Sequence, residues 1–374
     1  MKTLKEFKLK NKRVLVRCDF NVPLDQRRGI ILDDFRIKET IPTIEYLTKK
    51  GAKIILMTHL GRPEGRVVES LRLTPIQDRL MEYLDLSVTK TQDCIGKEVE
   101  DWTNEMQSGE ILLLENLRFH KEEEENDENF AKELSRLGDI YINDAFGASH
   151  RAHASIVGVP KYLPSGAGFL LEKEINILTD LIKRPKEPLV AIIGGAKAEE
   201  KVRLINNFSE IADFVLIGGL IKREIKDYNP PTTSEVPSRR VVGGSESRSR
   251  SERASKNIQL KHPKKIVEPI DEIEGKDIGP ETVNIFKKKI SQAKTIFWNG
   301  PLGKIEEKRF LKGTEEIAKA IIKSGAFSVV GGGETVEFIN KIGLVDKFNH
   351  ISTGGGAMLE FLSGEKLPGI ESLK

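Results

Sequence analysis

The chain has 374 residues, more than one hydrophobic core usually serves, so two domains are expected. It is 38% hydrophobic and 31% charged, and no apolar run nears the roughly 18 residues of a membrane-spanning helix, so no membrane partner is expected. Sixty basic against 57 acidic residues leave a net charge of +3, too balanced for bulk nucleic-acid binding, so any anion site must be local.

The start, MKTLKEFKLKNKR, lacks the hydrophobic stretch of a signal peptide and reads as folded sequence. Cys18 and Cys94 form neither a disulfide nor a metal spacing, which points to a reducing, cytoplasmic setting.

In chain order, short β-branched runs alternate with longer amphipathic stretches. Strands are expected at Arg13–Val16, Lys53–Met57, Ile111–Leu114 and Asp139–Ile142, then at Leu189–Ile193, Phe214–Ile217, Thr295–Trp298, Phe327–Val330 and His350–Ser352. These runs are continuously apolar, as strands buried on both faces of a parallel sheet are. Helical patterns lie at Thr40–Lys50, Asn129–Leu137 and Thr314–Lys323, and a charged helix over Glu172–Leu181 would link two sheets. The alternation predicts an α/β chain of two doubly wound, Rossmann-like, three-layer domains with parallel sheets. The expected division is 1–170, a linker at 171–188, 189–353, and a terminal segment at 354–374. Ligands of such sheets bind beyond the carboxyl ends of the strands, so the residues after each run carry the functional argument.

In the first half, those residues are Arg17 to Pro23 with Asp19 and Asn21; His59-Leu60-Gly61-Arg62; Glu115 to His120 with Arg118; and Asn143 to His153 with His150 and Arg151. Arg36 adds a guanidinium from Asp33-Asp34-Phe35-Arg36. Arginine presents a planar fork of donors matched to phosphate and carboxylate oxygens. A single arginine more often makes a surface ion pair worth little. Arginines recurring at strand ends among histidines favour a pocket for a small ligand with two or more negative charges. His120, beside the charged run Lys121–Glu125, is the weaker member.

In the second half the turns are glycine-rich: Gly194-Gly195-Ala196-Lys197, Gly218-Gly219, Asn299-Gly300-Pro301, Gly331-Gly332-Gly333-Glu334-Thr335 and Gly354-Gly355-Gly356. Glycine lets the backbone approach a ligand, and a helix opening beside it offers free N–H groups to phosphate. Lys197 and Lys201, four apart, share one helix face. No turn has P-loop or dinucleotide spacing, which disfavours a nicotinamide-dependent oxidoreductase. Together they favour a nucleotide cradle with Mg²⁺. One stretch stands apart: residues 228–257 are rich in Ser, Arg and Pro without periodicity, and read as a disordered loop or a locally altered reading frame.

The strings VLVRCDFNVPL, DDFRI, THLGRP, LLLENLRFHKEEE, NDAFGASHRAHAS, GGAKAEEK, WNGPLG, VVGGGETV and HISTGGGAMLEFL resemble, in order, the signature blocks of the phosphoglycerate kinases. The resemblance runs from about Arg13 to Pro368 with a gap near 222–263. It implies a monomeric glycolytic kinase with an N-terminal domain for 3-phosphoglycerate or 1,3-bisphosphoglycerate and a C-terminal domain for Mg²⁺ with ADP or ATP. Asp19, Asn21, Arg36, His59, Leu60, Gly61, Arg62, Arg118 and Arg151 would then hold phosphoglycerate. Lys201, Asn299, Glu306, Gly332, Gly333, Glu334 and Thr335 would surround the nucleotide, with Glu334 on the metal. Arg36, Lys197 and the amides of Gly354, Gly355 and Gly356 would neutralise the transferring phosphoryl, across a hinge between the domains. The family carries Asp where Glu334 stands, Val-Ser-Asp where Ala198-Glu199-Glu200 stands, and an LPxD block that is expected to be missing here with one or more sheet elements. A second reading follows from that loss: a phosphoglycerate-binding homologue with a defective nucleotide half.

Overall fold

The computed structural model describes residues 1–25, 27–196, 198–228 and 260–374. Lys197 and, from residue 229 on, the Ser/Arg-rich segment lie outside the described residues. The chain forms two compact units, Met1–Thr179 with Thr353–Lys374, and Asp180–Ser352.

The first unit is built on a six-stranded parallel sheet. Its strands are β1 (Arg13–Arg17), β2 (Lys53–Met57), β3 (Val88–Lys90), β4 (Ile111–Leu113), β5 (Ile140–Asn143) and β6 (Ser165–Ala167), in the order β3-β4-β2-β1-β5-β6. In β1, Leu15 pairs with Ile55 on one side and Tyr141 on the other. Val14, Val16, Ile54 and Leu56 are fully buried with Ile37, Ile44 and Leu47 of helix α1 (Phe35–Lys49), which explains the unbroken apolar runs. The register brings the carboxyl ends of β1, β2, β4 and β5 side by side.

Two buried carboxylates organise this end of the sheet. Asp144, just after β5, accepts the backbone N–H groups of Leu170 at 2.8 Å and Leu171 at 3.2 Å at the start of helix α2 (Phe169–Lys183). Burial pushes its carboxyl up to about 7 against those same amides. Glu123 accepts Ser155 N at 2.9 Å and Ser155 Oγ at 2.6 Å, and lies 3.9 Å from Arg17 Nη2. Arg17 and Glu123 are both fully buried. A buried pair of this kind is costly to break from one side, because the survivor is left charged without a partner.

Residues 353–374 are fastened to the first unit. Thr353 donates through N (2.6 Å) and Oγ1 (2.9 Å) to Glu174 Oε1 on α2, and Gly369 N bonds Ser149 O at 2.8 Å. A Cβ at Gly369 would lie 2.8 Å from Ile156 Cγ2 and 2.9 Å from Ser149 Cα, so only glycine fits that contact.

The second unit repeats the plan. Its parallel strands are β7 (Leu189–Ile193), β8 (Phe214–Ile217), β9 (Ile266–Val267), β10 (Thr295–Asn299), β11 (Phe327–Gly331) and β12 (His350–Ile351), in the order β9-β8-β7-β10-β11-β12. Helices α3 (Ala198–Ile211), α4 (Gly219–Tyr228) and α5 (Gly333–Lys341) each open on a glycine turn.

The expected loss of sheet elements is corrected here. Strand β9 follows the Ser/Arg-rich segment and pairs with β8, Ile266 beside Val215 and Val267 beside Leu216. After it comes Glu268-Pro269-Ile270-Asp271, which keeps the Pro and Asp of the block read as missing. The strand escaped notice because its apolar run is two residues long and Glu268 stands where the block has Leu. Asp271 then accepts the N–H groups of Glu281 (3.0 Å) and Thr282 (2.7 Å), capping helix α6 (Pro280–Ile290), which follows α4 in the chain.

Replacing Glu123 by Ala is expected to lower the stability of the protein by about 3–5 kcal/mol through the stranded Arg17 charge. Urea unfolding followed by circular dichroism measures this, and a loss below about 1 kcal/mol would contradict the assigned pairing.

Candidate functional site: an arginine rim and a glycine-lined cavity

In the first unit, the loop after β1 sets the rim. Asp19, nearly buried, accepts from Arg36 Nη1 at 3.0 Å, and the same nitrogen donates to Asn21 O at 3.1 Å. Asn21 Oδ1 accepts from Gly61 N at 2.9 Å, tying this loop to the one after β2. Gly61 O accepts from Arg118 Nη1 at 2.8 Å, which adds the loop after β4. Asn116 holds the same junction, accepting from Leu60 N at 3.2 Å and donating to Leu60 O at 2.9 Å. Three loops are therefore tied together by hydrogen bonds, while Phe20, Leu60 and Phe119 anchor each of them in the core beneath.

The charge at this rim is poorly compensated. Arg118 is 2% exposed, yet its Nε has no acceptor and its Nη2, 3.1 Å from Glu124 Oε1, lies off the hydrogen-bonding direction. Burial lowers its guanidinium to about 10, with Arg151 and Arg17 adding to the effect against Glu124. Buried donors without acceptors are rare in folded proteins and suit an anion. Arg62 is exposed and has no ion-pair or hydrogen-bond partner among the described residues.

The histidines respond to the same field. Burial and then Arg17, Arg118, Arg151 and Arg36 hold the His59 imidazolium well below its usual range. Burial and Arg118 bring His153 down to about 3, and burial with Arg151 lowers His150. All three rings are therefore neutral near pH 7. Arg17 Nη2 lies 3.1 Å from His59 Nδ1 and can only donate, so Nδ1 accepts and the ring proton sits on Nε2.

The glycines of residues 354–356 belong to this unit. A Cβ on Gly354 would lie 2.3 Å from the Phe146 ring, and one on Gly356 would lie 3.7 Å from His150 Nε2. Gly355 has φ +49°, and helix α7 (Gly356–Leu362) starts at the next residue. Gly147 sits between Asp19 Oδ2 and Thr353 O, which a Cβ would meet at 2.4 and 3.0 Å. The rim, its histidines and the Gly354–Gly356 amides therefore form one neighbourhood.

In the second unit, a cavity of about 320 Å³ opens at the ends of β7, β8 and β10. Gly195, Gly218, Gly219, Leu302, Glu306 and Glu334 line it. Gly194 N bonds Asn299 O at 2.8 Å and Gly195 N bonds Pro301 O at 2.7 Å, closing two turns against each other. The approach is so close that a Cβ on Gly300 would lie 2.2 Å from Gly194 O. Lys201 Nζ, half-buried, donates to Gly194 O, and a Cβ on Gly195 would lie 3.0 Å from it and 3.7 Å from Glu334 Oε2. A lysine and an exposed carboxylate thus face one glycine cradle; the hard carboxylate oxygens of Glu334 fit Mg²⁺, which would supply positive charge there, while Lys201 suits phosphate.

Some residues read from the sequence lie behind this cavity instead of on its wall. Asn299 and Thr335 are buried: Asn299 Nδ2 donates to Gly331 O at 2.9 Å and Thr335 Oγ1 accepts Gly300 N at 2.8 Å. Gly332 takes φ +98° against Asn299, and Gly333 opens α5. Other members were not singled out from the sequence. Arg17, Glu123 and Ser155 support the rim from below; Arg17 alone carries a signal, charge at the end of an apolar run, while Glu123 is hidden in a charged run and Ser155 is uncharged. Arg223 donates to Glu272 Oε2 at 2.6 Å on the cavity wall, and Asp277, raised to about 6 by burial, accepts Gly313 N at 2.8 Å.

Comparison with known proteins matches this arrangement. The family model described as phosphoglycerate kinase covers residues 4–229 and 239–365. The interruption is thus confined to 230–238, narrower than the gap of 222–263 read from the sequence. A phosphoglycerate kinase from Dictyoglomus turgidum is 46% identical over 390 residues, covering 99% of this chain and 98% of its own length. One from Moorella thermoacetica is 44% identical, with 99% and 98% coverage. Among solved structures, the phosphoglycerate kinase from Pyrococcus horikoshii OT3 has a TM-score of 0.84 at 34% identity, covering all of this chain and 98% of that one. The enzyme from Coxiella burnetii gives 0.78 at 32%, with 99% and 98% coverage. The reading with a defective nucleotide half finds no support in these full-length matches. The chain belongs to the phosphoglycerate kinase family.

Proposed function

We propose that the chain transfers a phosphoryl group between 1,3-bisphosphoglycerate and ADP, giving 3-phosphoglycerate and ATP, with the arginine rim as the phosphoglycerate half-site and the glycine-lined cavity as the nucleotide half-site. The single observation that carries the assignment is the cluster of Arg36 at the start of α1 with Arg118 and Arg151 on loops after strands, with buried donors of Arg118 left open and three neutral histidines in the same field. A ligand with a phosphate at one end and a carboxylate at the other meets those donors in pairs.

The acceptor in the ATP-consuming direction is already a carboxylate, so no general base is needed. Catalysis then rests on positioning and on neutralising charge at the transferring group. Arg62, Arg118 and Arg151 hold the phosphoglycerate anion. His59 adds a neutral Nε2–H donor without the cost of a further buried charge, and Asp19 with Asn21 keeps Arg36 extended into the rim. Arg36, Lys197 and the amides of Gly354–Gly356 take up the charge on the moving phosphoryl. Lys201 and Glu306 act on the nucleotide side, while Asn299, Gly332, Gly333 and Thr335 keep the turn open for phosphate. Glu334 would hold Mg²⁺, which when bound supplies charge neutralisation to the nucleotide phosphates. The two buried free thiols, Cys18 and Cys94, favour a cytoplasmic location.

Arg36→Ala is expected to lower kcat about 10³-fold in a coupled assay of ATP formation, as loss of a charge-neutralising arginine does in other phosphoryl transfers. Arg118→Ala is expected instead to raise the phosphoglycerate KM about 10- to 100-fold, the effect of losing hydrogen bonds to a charged ligand. A near-normal rate in the first, or a KM within twofold in the second, removes that residue from its role.

The depressed His59 pKa has a direct readout. Because the folded value lies well below 6.5, the ring should stay neutral from pH 8 down past pH 6, with ¹⁵N shifts of an Nε2–H tautomer. Titration of His59 with a midpoint near 6.5 would contradict the electrostatic account of the rim.

A further inference from the structure

Outside both half-sites, the loop after β3 and the turn after β4 bring three different donor groups together. Asp93, Cys94 and His120 each offer one ligand atom, and the carboxylate oxygen, thiol sulfur and imidazole nitrogen lie within 4.8 Å of one another. His120 Nε2 stands 2.6 Å from Asp93 Oδ1, and Cys94 N donates to the same oxygen at 2.6 Å. Cys94 is fully buried, while Asp93 is exposed and His120 partly so.

We propose that Asp93, Cys94 and His120 form a binding site for a thiophilic divalent cation of the zinc type. The donor set decides the class of ion. Thiolate with imidazole suits zinc and its neighbours, whereas magnesium takes oxygen ligands and keeps its waters. The site therefore does not compete for the ion that Glu334 would hold. Three protein ligands leave a fourth tetrahedral position open, and the exposed Asp93 edge is the side from which an ion and a water enter.

The ligands are held before any ion arrives. The His120 ring lies 5.3 Å from the Phe130 ring at 33°, which limits its rotation, and His120 N is bonded to Leu117 O at 3.2 Å. On the opposite side, Asp93 O accepts Thr91 Oγ1 at 2.5 Å and Glu115 N at 3.4 Å, pinning the loop that carries Cys94. Donors around a zinc ion at about 2.0–2.3 Å stand roughly 3.3–3.8 Å apart, so entry requires the Asp93–His120 contact to widen by about 1 Å. Asp93 has room to do so because its side chain is half exposed. The ion takes the place of the proton now shared by Asp93 and His120 and of the Cys94 thiol proton, and both protons leave to solvent. The reaction is an exchange of ligands with no change of oxidation state. Sequence spacing gave no sign of this site, since its donors come from positions 93, 94 and 120 on separate loops.

Cobalt(II) provides the probe. Tag-free full-length protein titrated with Co²⁺ should show one equivalent of a thiolate-to-cobalt charge-transfer band with strong visible bands of a tetrahedral centre. One equivalent of Zn²⁺ should bleach them and excess Mg²⁺ should not. Cys94→Ser and His120→Gln should each abolish the charge-transfer band or weaken Co²⁺ binding at least tenfold, while Cys18→Ser keeps it. Circular dichroism checks that each variant is folded, and His120→Gln, at a partly exposed position, serves if Cys94→Ser does not fold. Absence of the band in the unaltered protein, or its persistence in folded Cys94→Ser, overturns the site.

Discussion

The first unit depends on one electrostatic constraint: more positive charge is held at the ends of β1, β2, β4 and β5 than nearby carboxylates neutralise. Glu123 and Asp19 are buried close to Arg17 and Arg36, and they keep those two guanidinium groups in place. Arg118 is matched only by the exposed Glu124 and remains buried with open donors. Charge in such surroundings is expensive without a partner. Burial first, and then the same field, keeps His59, His150 and His153 neutral, since a further proton would be both desolvated and repelled. A doubly anionic ligand relieves this excess, which couples the structure of the rim to what it binds.

The second unit solves the opposite problem. Its turns give up side chains at glycine positions, so that backbones approach within contact distance while Lys201 and Glu334 stand beside them. Gly194, Gly195 and Gly300 meet where any Cβ would collide with a carbonyl or with Lys201. Helices α4 and α5 start at Gly219 and Gly333, and α3 starts at Ala198 shortly after Gly195, so first-turn N–H groups lie beside glycine turns. In the proposed assignment, one half recognises an anion through guanidinium forks, the other through backbone and lysine.

Much of this architecture was legible in the residues. Nine strands were expected from continuous apolar runs, and all nine form, several with the same first residue. Strands β3, β6 and β9 were missed. Each is an edge strand of two or three residues, and Val-Thr-Lys or Ser-Gly-Ala carries no apolar run to detect. The site divides in the same way. Arg118 and Gly61 were visible because strand-end position is a sequence property, and Arg36 through the DDFRI string. Glu123 and the Asp93–Cys94–His120 group were not, because their meaning arises from contacts between distant loops; Arg17 stands at a strand end, but its burial against Glu123 is visible only in the fold. Asn299 and Thr335 illustrate the converse: their place in a motif is plain, but only the fold reveals that both are buried behind the turn.

The central claim is that one chain carries two working half-sites. Calorimetric titration of the same full-length preparation with 3-phosphoglycerate and, separately, with ADP in the presence of Mg²⁺ tests it most directly. The account predicts saturable one-to-one binding of each ligand. Binding of 3-phosphoglycerate with no detectable nucleotide binding would contradict it.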